Sequence, residues 1–151
     1  MEVMFRSNSQ QAIGAFVLGL GLLGAVDGIV FHQLLQWHSV VMHTDRHGQI
    51  ESDGWFHLAT TILLAWGAIL LWHGGRDGFA RLPVRQLIGL VLLGGGAFNI
   101  VEGLVNHHWL QIHHVKQGDP HELWYDVAFL VWGAVMVAIG LELCRKRFRQ
   151  G

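Results

Sequence analysis

The chain has 151 residues, 52% hydrophobic and only 14% charged, with a formal net charge of −1. Such a composition excludes a water-soluble domain, and without a basic stripe it excludes a nucleic-acid partner. Cys144 is the single cysteine, which rules out an intrachain disulfide and a multi-thiolate zinc site; the outlier is a set of 11 histidines.

The opening MEVMFRSNSQ is polar and carries Arg6 before a long apolar run. No small-residue cleavage site follows, and the run outlasts a signal-peptide core, so a retained first helix is expected. A membrane span needs about 20 mostly apolar residues. Four stretches qualify, at roughly Ala12–Leu35, Trp55–Trp72, Leu87–Leu110 and Leu123–Cys144. Pro83 and Pro120 fall in the polar connectors, where no helical ladder is broken. Trp37, Trp55, Trp72, Trp109 and Trp124 fall at span ends, as an interfacial belt requires. The fold class expected is all-α integral membrane, a four-helix bundle contacting the lipid bilayer.

Basic residues set the orientation. With the N-terminus cytoplasmic, Arg6, Arg76, Arg81, Arg85, Arg145, Lys146, Arg147 and Arg149 lie inside, and only Arg46 and Lys116 outside. Both termini are then cytoplasmic, and the tail Arg145–Arg149 meets anionic lipid. The same partition leaves only His73 on the inner side. Asp27, Asp45, Glu51, Asp53, Glu102, Asp119, Glu122 and Asp126 join the other histidines in the outer half.

A shift of 75 residues overlays the first helix on the third, with 14 of 30 positions identical between Gln11 and Val40. His32 pairs with His107, Gln36 with Gln111 and His38 with His113, while Asp27 pairs with Glu102. The expectation is two parallel-repeated helical hairpins in one membrane domain, about 11–73 and 86–144, related by an axis along the membrane normal. A weaker shift of 69 overlays Asp53–His57 on Glu122–Asp126, each with two ligand-capable groups on one helical face.

The strings VDGIVFHQLLQWH and FNIVEGLVNHHWLQIHH resemble family 2243 of the domains of unknown function, predicted bacterial membrane proteins. The resemblance covers nearly the whole chain. It implies four helices and a bacterial inner membrane, and it supplies no mechanism.

Asp27 and Glu102 sit about 10 Å below the outer helix ends at 1.5 Å per residue. A carboxylate at that depth costs a few kcal/mol unless it faces the bundle interior and has a task. No Lys or Arg in the outer half of a span balances them, which leaves a metal ion or protons. On a straight helix the step from Asp27 to His38 returns to one face, whereas His32 is turned about 140° away. A bend, or a meeting of His32 and His107 across the axis, would gather all three. The expected metal ligands are Asp27, His32, His38, Glu102, His107 and His113, joined by His57 and Asp126. Gln36 and Gln111 are placed as supports for the imidazoles. His43, His47, His108, His114 and His121 are expected in or beside the outer loops, mostly solvated.

Nitrogen and oxygen donors suit a transition metal ion. Copper is the first choice, because an outward-facing site meets exported ions; zinc and iron follow. The reading is a metal-dependent oxidoreductase, a hydrolase or a metal-handling factor. Alternatives are a b-type haem protein with bis-His ligation and a proton-coupled transporter, for which four helices would require a homo-oligomer. HExxH, GxSxG and P-loop motifs are missing.

Overall fold

The computed structural model describes residues 2–76 and 82–145, with side chains from Ser9 onward. Arg81, Lys146, Arg147 and Arg149 of the charge count lie outside the described residues. Helix α1 (Glu2–Asp27) runs straight into a π-helical segment, Gly28–Leu34. Helix α2 spans Arg46–Gly74. Helix α3 (Val84–Glu102) repeats the first pattern, entering a π-helical segment at Gly103–Trp109. Helix α4 spans Glu122–Arg145. Four stretches are long and apolar enough to cross a membrane, and no strand occurs among the described residues.

Helix boundaries follow local chemistry. Asp45 caps α2 by accepting a hydrogen bond from the Gly48 amide at 2.8 Å. With that cap α2 begins at Arg46 rather than near Trp55, so part of the expected outer connector is helical and projects beyond the apolar span. Pro83, with φ −55° and no amide hydrogen to lose, precedes the first turn of α3.

The outer ends of the first and third helices close in the same way. The Leu35 amide donates to the Val30 carbonyl at 2.8 Å and Trp37 donates to Phe31 at 2.9 Å. Leu110 donates to Val105 at 2.7 Å and Ile112 to Asn106 at 2.9 Å. Gln36 (φ 51°) and Gln111 (φ 50°) supply the left-handed residue that reverses the chain. Glycine usually fills that position; a side chain there costs about 1 kcal/mol.

The helices pack in the order α2–α1–α3–α4, with α1 and α3 in the middle. Among the described residues no backbone of α1 comes close to α4, nor α2 to α3. Glycine makes the central crossing tight: a methyl on Gly19 would overlap the Val91 backbone, and one on Gly94 the Phe16 backbone. The apolar stretches of the inner helices are each 39% buried, against 11% for α2 and 22% for α4, which identifies the outer pair as the lipid-facing one.

Among the described residues four apolar side chains are buried (Ala15, Val115, Phe129 and Met136), against twelve polar ones. An interior so rich in polar groups is what a lipid-embedded functional site looks like, since its outside is already apolar.

Candidate metal centre

The π segments solve the facing problem that a straight helix poses. In an i→i+5 ladder, a residue five further on sits nearly one full turn later. His32 thereby returns to the side of Asp27, and His107 to the side of Glu102. The left-handed residues Gln36 and Gln111 then fold the chain back, so that His38 and His113 re-enter the interior. Two triads result, Asp27–His32–His38 and Glu102–His107–His113, each fully buried and each with its donor atoms within 4.8 Å of one another.

The triads meet. The His38 and His113 rings stack with centroids 4.5 Å apart and planes 6° from parallel. His32 lies 4.5 Å from His38, and His107 lies 4.9 Å from His113, both edge to face. His32 Nε2 is 3.3 Å from an Asp27 oxygen, and His113 Nε2 is 3.8 Å from a Glu102 oxygen. Phe56 and Phe129 close the two sides, each 5.3 Å from its histidine, His32 or His107.

Each half is held by the other's backbone. His38 Nδ1–H donates to the Val115 carbonyl at 2.7 Å, and His113 Nδ1–H donates to the Val40 carbonyl at 2.8 Å. A carbonyl only accepts, so both rings carry their hydrogen on Nδ1 and turn an Nε2 lone pair inward. The loops are cross-tied as well: the Met42 amide donates to Ile112 at 3.4 Å and the Gln117 amide to Trp37 at 3.1 Å. Val40 and Val115 are fixed in turn by carboxylates, their amides donating to Asp53 and Asp126, both at 2.9 Å.

Burial and the three neighbouring imidazoles push the His38 pKa down to about 2, against the opposing pull of its hydrogen bond to Val115. Burial lowers His113 too. Outside the membrane-spanning segments, therefore, the cluster holds its imidazoles neutral, the form that ligates a metal.

Asp53 and Asp126 stand behind the triads rather than in them. Asp53 Oδ1 lies 3.0 Å from His32 Nδ1, close but poorly directed for a hydrogen bond. Asp126 Oδ1 lies 3.6 Å from His107 Nδ1, and its second oxygen is 2.6 Å from His114. Of the eight residues expected as ligands, six form the triads. Asp126 has both oxygens committed to protein groups. His57 packs against Gly28, where a methyl would come within 2.7 Å of its ring, and its Nε2 is buried without a partner. Asp53 and Asp126, 73 residues apart rather than the 69 that pairs His57 with Asp126, are placed alike, each accepting from a valine amide, as are Phe56 and Phe129, each against a triad histidine. Leu130, at the same 73-residue spacing from His57, packs against Gly103 as His57 packs against Gly28.

Gln36 and Gln111 are exposed, so their side chains do not support the imidazoles; the valine carbonyls do that. Of the loop histidines, His114 alone reaches a carboxylate of the site, Asp126. His43, His47, His108 and His121 are exposed, although His43 contacts the Gln111 carbonyl and His108 that of Gly103.

Nine buried side-chain nitrogen and oxygen atoms have no hydrogen-bond partner among the described residues. All belong to Asp27, His32, His38, His57, Glu102, His107 and His113. An orphaned buried polar atom costs about 1–3 kcal/mol, so nine in one place point to a missing common partner. The donor set, imidazole nitrogen plus carboxylate oxygen, fits zinc, copper(II) or iron.

The molecule is thus a polytopic membrane protein with buried histidine–carboxylate clusters. It belongs to the family described as predicted membrane protein (DUF2243), whose model matches residues 14–147. No curated protein and no solved structure matches the chain.

Proposed function

We propose that the chain is a bacterial inner-membrane metalloprotein built from a duplicated hairpin, with a dinuclear centre near the extracytoplasmic face and a metal-dependent oxidoreductase activity. The observation that carries the reading is the inward-facing Nε2 atoms of His38 and His113. Each is buried, unpartnered and held in the ligating tautomer by a carbonyl behind it. One ion takes Asp27, His32 and His38, and a second takes Glu102, His107 and His113. Copper is the first candidate, with zinc and iron behind it. A bound ion would supply Lewis-acid or one-electron chemistry. The chain's own residues fix the imidazoles, keep water out and hold two carboxylates beside the ions.

The duplication is supported by the matched π segments, the left-handed glutamines and the reciprocal valine bonds, all 75 residues apart. The basic residues favour cytoplasmic termini. Haem fits less well, because its bis-His candidates, His32 and His107, pack edge to face on the stacked His38 and His113 rings, which leave no slot for a macrocycle. Metal analysis and an absorption spectrum on detergent-purified protein test the reading. Two equivalents of copper, iron or zinc per chain, lost in His38→Ala/His113→Ala, are expected. A protein that stays empty and colourless after reconstitution overturns it, and would leave proton transfer between Asp27 and Glu102 as the function.

A further inference from the structure

Between α1 and α4 lies a cavity of about 390 Å³, at the lower end of the range for small-molecule sites. Its walls are aromatic, formed by Phe31, Trp37, Phe129 and Trp132, and its polar groups include Asp27 and Asn99. Both of these are buried, with exposures of 4%; the Asp27 Oδ2 atom is turned to His32 Nε2, 3.3 Å away, and the residue also lines the cleft. The lining residues Val26 and Trp132 are 44% and 58% exposed, so the rim opens on the surface that meets lipid. The cleft therefore joins the bilayer to one carboxylate of the cluster.

The two halves of the molecule differ at this point. At the positions corresponding to Leu23 and Ala128 of the lining, the other side carries Phe98 and Trp55. The Phe98 ring lies 6.1 Å from Phe56 and 3.1 Å from where a Cβ on Gly24 would stand. Gly24 is the counterpart of Asn99. One side thus holds its own aromatic ring, while the other has small residues, an amide and an open space lined by rings.

We propose that this cleft binds a lipid-dissolved quinol, a hydroxylated aromatic ring on an apolar tail, with a ring hydroxyl donating to Asp27. The aromatic walls match a flat ring. The buried acceptor calls for a donor, which an alkyl chain and a carboxylate head both lack. The inference names the substrate class of the centre proposed above and rests on that reading only for what the bound ring meets; binding in the cleft stands apart from metal.

The test uses the full chain in detergent, as isolated and after metal removal. A short-tailed alkyl benzoquinol is titrated while quenching of tryptophan fluorescence is followed, with decanoate as comparator. Saturable quinol binding is expected in both forms, weakened at least tenfold in Leu23→Phe/Ala128→Trp, which copies the closed side, with metal content unchanged. Should that variant fold poorly, a photoreactive quinol applied to the unaltered chain should label the peptide containing Trp132. Equal binding by the variant, equal competition by decanoate, or labelling elsewhere would overturn the proposal. Quinol binding to a chain that holds no metal leaves the cleft standing and removes the centre; metal without quinol binding does the reverse.

Discussion

Asp126→Asn separates a metal ligand from a group that orients one. The replacement keeps the shape of the side chain, and its remaining carbonyl oxygen still accepts from the Val115 amide, now at 2.9 Å. The loop that holds His38 therefore stays in place. What is lost is the negative charge 3.6 Å from His107 Nδ1 and the acceptor 2.6 Å from His114. Removing such an outer partner commonly weakens metal binding about 10–100-fold. That corresponds to about 1.4–2.7 kcal/mol. Competition with a chelator of known affinity should show this drop at unchanged metal stoichiometry. Loss of one equivalent of metal per chain would make Asp126 a direct ligand and refute the assignment; unchanged affinity would refute its orienting role.

Three further outcomes follow from the packing and the charges. Gly94→Ala places a methyl on the Phe16 backbone at the central crossing; it should lower stability by about 1–3 kcal/mol, read from thermal melting in detergent, and an unaltered midpoint would contradict the crossing. Gln36→Gly relieves the left-handed strain at φ 51° and should stabilise by about 1 kcal/mol, whereas Gln36→Val should destabilise. The metal-free protein should lose stability as pH falls below about 6.5. His38 and His113 have depressed pKa values when folded, so below that pH the unfolded chain binds more protons. Melting midpoints should be level above pH 7 and fall toward pH 5, less steeply in His38→Ala/His113→Ala. A rise toward acid pH would reverse the sign and reject the burial of neutral imidazoles.

The four spans were legible because lipid imposes a length and a composition on any helix that crosses it. The six triad residues were legible because His32, His38 and Asp27 recur, the last as Glu102, at one spacing. What joins them was not. Nothing in GIVFHQL announces an i→i+5 ladder, and glutamine is an unusual choice for a left-handed stop. The valine carbonyls that fix His38 and His113 belong to the backbone, which leaves no mark in a residue pattern. The spacing of the second helices reads ambiguously, because Asp–x₃–His and Glu–x₃–Asp look alike in one dimension. Hydrogen bonds from Val40 and Val115 place Asp53 and Asp126 alike. The cleft depends on differences between the halves, Leu23 against Phe98 and Ala128 against Trp55, and a search for likeness passes over them.

The exchange of bonds between the outer loops has a consequence for how the centre fills. An ion held by Glu102, His107 and His113 would stiffen the loop bearing Val115, and Val115 orients His38 of the other triad. The same holds in the opposite direction through Val40. On the proposed function, whatever ordering a first ion imposed, a second would not need to impose again, so half-loaded chains would be disfavoured and the two sites would load cooperatively.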